Sequence, residues 1–340
     1  MAFLADKSAR RSPQLPDLVS PLREFIEAGG KRIRPVLALA GWHAAAGTEP
    51  TRAARHLAAA LELFHAFALI HDDVMDRSAT RRGHPTVHRA QAAACAPLPG
   101  SSPGRQKAIA DRFGENAAIL IGDLALVWAD ELFHRGHPTA EQLARMNPLL
   151  QVMRSELVLG QYLDLAAAAS DPDVETALTV LRYKTAKYTI ERPLQLGAVL
   201  ASAAPGLLDA LSAYAVPLGE AFQLRDDLLG VFGDPRETGK PVLDDLREGK
   251  ATVLVALALQ RARPAQADQL CRYLGCPTLT EDQAEVLRHT IEATGARDAV
   301  ETMIEQRHRQ ALDALRTPLL LPQVTDTLRE LANRAVKRHT

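Results

Sequence analysis

The feature that most constrains the fold is the spacing of apolar residues, which recur every three or four positions along much of the chain. Leu57, Leu61, Phe64 and Ala68 make one stripe, and Leu150, Met153, Leu157 and Val158 another. That spacing follows the turn of an α-helix and gives a segment one continuous apolar side. No run alternates apolar with polar residues between hairpin-type turns, so strands are not expected. Several segments are apolar around most of their circumference, which suits central helices surrounded by others. Breaks at 45–50, 95–106, 134–138, 169–173, 201–206, 233–241 and 274–282 separate helices expected to run for about 12 to 25 residues. No linker is long enough to divide the chain, and 95–106 reads as a surface loop between helices. The expectation is one all-α domain over residues 1–340, a bundle of long helices with 1–20 loosely ordered.

Charge removes some functions. Forty Lys and Arg balance 41 Asp and Glu, whereas a general nucleic-acid binder needs a basic excess to meet phosphates. Any affinity for phosphate must come from local clusters. The cysteines Cys95, Cys271 and Cys276 are odd in number and lack a second pair at zinc spacing. The N-terminal stretch lacks the apolar core of a signal peptide, and runs such as "AAILIGDLALVWA" contain an Asp and fall short of membrane-spanning length. A reduced cytoplasmic protein with no membrane span is expected.

The charged stretch "LIHDDVMDRSATRRGHPTVH" (69–88) ends an otherwise apolar helix. Asp72 and Asp76 lie one helical turn apart on the same face and can aim two carboxylates at one point, with Asp73 displaced around the turn. Hard divalent cations prefer oxygen ligands, and Mg²⁺ takes one or two carboxylates together with water and substrate phosphates. The plain alternative is a solvated acidic helix end. A second apolar helix repeats the arrangement in "FQLRDD" (222–227) with Asp226 and Asp227. Basic elements accompany both: "GGKRIRP" (29–35), "RRG" (81–83), "YKTAKY" (183–188) and "TGKPVLDDLREGKAT" (238–252). Glycine neighbours let backbone approach an anion, and Lys or Arg supplies the charge.

In this order, "GGKRIRP", "HDDVMD…RRG", "GQYLD", "KT" and "FQLRDD…GK…DLREGK" resemble the trans-isoprenyl diphosphate synthases over about Gly29 to Thr252. The resemblance implies the isoprenoid synthase fold, a helical bundle around a central cavity. It implies prenyl transfer from an allylic diphosphate (dimethylallyl, geranyl or farnesyl) to isopentenyl diphosphate, in a homodimer that uses Mg²⁺, three ions per site. Asp72 and Asp76 match the family's metal ligands, Asp73 an indirect helper, Asp226 the main ligand of the second motif and Asp227 its support. Gly230 stands where that motif commonly carries a further aspartate. Isopentenyl diphosphate would meet Lys31, Arg34, His65 and Arg82, although His65 also reads as a core histidine. The allylic diphosphate would meet Arg81, Lys184, Lys240 and Lys250, with Gln161 nearby. Thr185, the Lys184 backbone and Gln223 match positions that turn oxygen dipoles toward the allylic cation. The 233–250 loop is expected to act as a lid.

Product length should depend on side chains preceding Asp72 on its helix. Phe67 is large, Ala68 small, and Phe64 lies a turn further back. This pattern resembles the geranylgeranyl type, giving a C20 product, with Gly122 and its neighbours a further candidate floor. A farnesyl or longer-chain synthase and a non-catalytic partner subunit are the alternatives.

Overall fold

The computed structural model describes residues 1–233 and 243–336, with the backbone alone for 243–245. Described residues are helical almost throughout, and the strands among them are the two-residue pairs β1 (Thr80–Arg81) and β2 (His84–Pro85) of one tight hairpin. This hairpin was not expected. Its turn is set by Arg82 and Gly83, both at positive φ, and not by alternating residues. By contacts the chain forms two compact units, Met1–Pro35 with Arg55–Pro138, and Val36–Ala54 with Thr139–Thr340.

The first unit holds α1 (Ala2–Ala9), α2 (Val19–Glu27), the start of α3 (Ile33–Ala46), most of α4 (Arg52–Met75), α5 (Val87–Ala94) and α6 (Pro103–His134). Residues 2–9 are helical where loose order was expected. Leu4 is buried, the Phe3 ring meets Trp128 edge-on at 6.2 Å, and Asp6 pairs with Arg135 at 2.8 Å. These partners lie more than a hundred residues away in sequence, beyond any local pattern. The α6 helix, at 32 residues, outruns the expected range. It starts where the Ser102 side chain accepts the Arg105 N–H and Pro103 fills the first turn. By length and mean hydropathy, α4 is the one described helix that could cross a membrane, yet 56% of its apolar window is buried, as in a core helix.

In the second unit α7 (Ala140–Ala168) opens on a reciprocal cap between Thr139 and Gln142. A continuous helix then runs through α8 (Val174–Val180), an 11-residue π-helical stretch (Leu181–Glu191) and α9 (Arg192–Leu200). Next come α10 (Leu207–Phe232), α11 (Leu243–Glu248), α12 (Val253–Arg261), α13 (Pro264–Tyr273), α14 (Glu281–Ala293), α15 (Ala296–Ala314) and α16 (Pro322–Val336). Leu224 and Leu228 of α10 pack into one core with Leu254 of α12, Leu287 of α14 and Val300 and Ile304 of α15. That core fixes the helix carrying Asp226 and Asp227.

Candidate active site

The end of α4 sorts its three aspartates by environment. The Arg77 backbone adopts the left-handed conformation, Ser78 N–H donates to the Asp73 carbonyl (3.0 Å) and Arg77 N–H to that of Val74 (3.3 Å). This closes the helix with a Schellman-type cap. Asp76 N–H donates to the Asp72 carbonyl at 2.8 Å, so the two residues stand one turn apart, both half-buried. Asp73 is fully buried and gripped by Arg81 of β1, with Nε 2.8 and 2.9 Å from its two oxygens and Nη2 2.6 Å from Oδ1. Burial works against the Arg81 charge, but the bond to Asp73 and the charges of Asp73, Asp72 and Asp76 outweigh it and raise its pKa. Asp73 therefore fastens the hairpin to α4.

Carboxylates at a helix C-terminus face the negative end of the dipole, so Asp72 and Asp76 favour a cation nearby. Among the described residues no three His, Cys, Asp or Glu side chains gather as a ready-made metal cage. Two half-buried carboxylates without a cage suit Mg²⁺, which keeps waters and takes phosphate oxygens, better than a metal enclosed by protein.

Also within the first unit lies a basic cluster. Gly29, Gly30 and Arg32 all have positive φ, which turns the chain sharply before α3. A Cβ on Gly30 would stand 2.8 Å from the Arg82 guanidinium, so only glycine leaves that group its place. Arg82 donates to the Gly29 carbonyl and lies over the Phe25 ring, 5.7 Å from its centroid. Arg32 is paired with Glu62 and is thereby structural. His65 records the excess charge: burial, then Arg34, Arg82, Arg81 and Arg32, hold its pKa well below the usual histidine value. Its folded-state pKa thus lies below its unfolded one. The stability that neutral His65 contributes is present at neutral pH and lost as pH falls below about 6.5, where the unfolded chain takes the proton first. Urea midpoints at pH 7.5 and 5.5 should differ less in His65→Gln than in the parent, and an equal difference would show that folding does not depress the His65 pKa.

In the second unit the π-helical stretch carries "YKTAKY". A Cβ on Gly160 of α7 would come within 2.7 Å of the Lys184 nitrogen, and one on Gly219 of α10 within 2.4 Å of Ala186 Cα. Both helices thus press on the backbone around Lys184 and Thr185, where the wider π turn re-aims side chains. Lys184 Nζ lies 2.6 Å from Asp164, the last residue of "GQYLD". The resemblance assigns a role in that motif to Gln161 and none to Asp164; the three-residue step between them is the signal that Asp164 shares its face. Gln223 donates to Asp227 at 2.8 Å, and Asp226 and Asp227 are half-buried late in α10. Arg225 binds Glu301 bidentately (2.7 and 2.6 Å), anchoring α10 to α15. Lys250 lies 2.8 Å from Glu248. Lys240 and half of the expected 233–250 lid, residues 234–242, lie outside the described residues.

Before Asp72, Phe64 is buried, Phe67 and Ala68 are half-buried, and the two rings lie 5.4 Å apart.

The architecture is the all-α isoprenoid synthase fold. Over 99% of this chain and 96% of the other it is similar, with a TM-score of 0.92 and 43% identity, to a geranylgeranyl pyrophosphate synthase of Corynebacterium glutamicum complexed with isoprenyl diphosphate and magnesium. The sequence matches the polyprenyl synthetase family model over residues 16–293, and the chain belongs to that family. It is 34% identical to the geranylfarnesyl diphosphate synthase of Aeropyrum pernix, covering 92% of each chain. A geranylgeranyl diphosphate synthase of Mycobacterium tuberculosis is 32% identical over 86% of this chain and 78% of its own length. The chain is a prenyltransferase by this kinship.

Proposed function

We propose that the protein joins isopentenyl diphosphate to an allylic diphosphate (dimethylallyl, geranyl or farnesyl) and releases geranylgeranyl diphosphate, acting as a cytoplasmic homodimer. The observation that carries this reading is the basic cluster packed against the acidic end of α4, where Arg82 bonds the Gly29 carbonyl of the turn before α3 and Arg81 bonds Asp73 next to Asp72, a setting that favours a bound anion. Lys31, Arg34, His65 and Arg82 hold the isopentenyl diphosphate. The allylic diphosphate falls to Asp72, Asp76 and Asp226 through Mg²⁺, three ions in all, with Asp73 and Asp227 in support and Arg81, Lys184, Lys240 and Lys250 adding charge. Gln161 lies beside Lys184's partner Asp164 in "GQYLD" and takes part in the same binding.

Bound Mg²⁺ would neutralise charge on the departing diphosphate. The allylic C–O bond breaks and its electron pair leaves with diphosphate. The Thr185 hydroxyl, the Lys184 carbonyl and Gln223 turn negative dipoles toward the cation left behind. The double bond of isopentenyl diphosphate then supplies the electrons of the new C–C bond, leaving a tertiary cation; the carbon next to that cation loses a proton to the released diphosphate, and the C–H electrons form the new double bond. Exclusion of water protects the cation.

Exposed apolar residues on α6 (Phe113, Leu120, Val127) and on α7 (Val152, Leu159, Tyr162) recur at helical spacing, and they support pairing with a second copy. Phe67 and Phe64 limit the chain length, with Ala68 leaving room for C20. Chromatography of products from each primer tests the assignment: C20 should dominate, and a farnesyl or longer product would overturn it. Phe67→Ala should shift the products toward longer chains, and an unchanged profile would remove Phe67 from the floor.

A further inference from the structure

Phe67 does not stand alone. On α4 the rings of Phe64, Phe67 and His71 follow one another at three- and four-residue steps. Centroids are 5.4 Å apart from Phe64 to Phe67 and 4.9 Å from Phe67 to His71, the latter pair edge-on with planes at 71°. His71 is in turn held by α6. Its Nε2 donates to the Ile119 carbonyl at 3.0 Å, and the Asp123 carboxylate lies 3.7 Å away. The imidazole occupies the space where a side chain at 122 would stand, since a Cβ on Gly122 would lie 2.3 Å from Nε2 and 2.4 Å from Cδ2. An imidazole seated over a bare glycine and bonded to a helix carbonyl cannot rotate without losing that bond. The Phe67 ring packed on its edge is thereby confined to few rotamers.

We propose that His71, seated on Gly122, is a positioning residue for product length: it holds Phe67 in place, and the limit on chain growth is a property of the His71–Gly122 pair as well as of the phenylalanine. This rests on the reading of Phe67 as a chain-length residue given above. Neither the local pattern around His71 nor the helical spacing on α6 shows it, because the contact joins residues about fifty apart in sequence.

The test is the product distribution with a fixed primer, read as the ratio of longer to parent-length product, so that a change in total turnover does not enter. His71→Ala removes both the anchor and the ring edge and should raise that ratio by about tenfold, the size expected for losing one hydrogen bond and one aromatic pair. His71→Gln keeps a donor for Ile119 but lacks the ring, is mild enough to fold, and should raise the ratio too. Gly122→Ala should change the distribution when His71 is present and change nothing further in a His71→Ala background, because both act through the same imidazole. A merely structural role would lower the melting temperatures of these variants and leave the product ratio at the parent value. If Phe67→Ala lengthens the product while His71→Ala and His71→Gln keep the parent profile, or if Gly122→Ala adds its full effect to His71→Ala, the anchor is overturned and the chain-length reading stands. If Phe67→Ala itself changes nothing, that reading falls, and this inference with it.

Discussion

Asp72→Asn is expected to lower kcat by roughly 10³-fold, about 4 kcal/mol of transition-state stabilisation, with the melting temperature unchanged. Asp72 is half-buried one turn from Asp76, at the end of α4 where the helix dipole disfavours negative charge. A carboxylate kept there serves a cation better than it serves the fold. Its amide analogue keeps the shape, loses the charge proposed above to hold Mg²⁺ and leaves the helix end otherwise unaltered. Turnover within tenfold of the parent at saturating Mg²⁺ would remove Asp72 from the metal site.

The neighbouring position should behave in the opposite way. Asp73→Ala leaves Arg81 enclosed without its counter-charge, and breaking a buried pair from one side costs roughly 3–5 kcal/mol. The Asp73 side chain is 1% exposed and that of Arg81 17%, so solvent does little to soften the loss. The urea midpoint should fall markedly, and the hairpin bearing Arg81 and Arg82 should loosen from α4. Replacing both partners, Asp73→Leu with Arg81→Met, should recover much of the stability, because neither charge is then stranded. A midpoint unchanged in Asp73→Ala would mean that the pair does not hold the hairpin. Adjacent aspartates thus separate cleanly: one variant loses turnover and keeps stability, the other loses stability first.

Much of this molecule can be read from its residues because helices announce themselves locally. The stripe Leu57, Leu61, Phe64 and Ala68 lies on α4 as expected, and breaks at 134–138, 169–173 and 201–206 coincide with the ends of α6, α7 and α9. The charged motifs do gather where they can be compared: Arg81 of "RRG" bonds Asp73 of "HDDVMD", and Arg82 bonds the Gly29 carbonyl of "GGKRIRP". What escaped depends on partners distant in sequence. The helix at residues 2–9 needs Trp128, Glu131 and Arg135; the length of α6 survives internal glycines because other elements pack on them; Lys184 has its carboxylate at Asp164. The π-helical turn around Lys184 and Thr185 has no periodic signature, because tertiary packing at Gly160 and Gly219 accompanies it. Spacing sets Asp73 off the face shared by Asp72 and Asp76, but it does not show which partner Asp73 meets there. The position of Arg81 across the hairpin shows that.

The central claim is that the chain uses Mg²⁺ and its acidic helix ends to join two diphosphates. It is tested most directly by transfer of radiolabelled isopentenyl diphosphate into longer allylic diphosphates, with dimethylallyl, geranyl or farnesyl diphosphate as acceptor. Mg²⁺-dependent incorporation into a C20 product is expected, abolished by chelation and restored by added Mg²⁺. Folded protein that leaves the label in isopentenyl diphosphate with every acceptor, at saturating Mg²⁺, would contradict it.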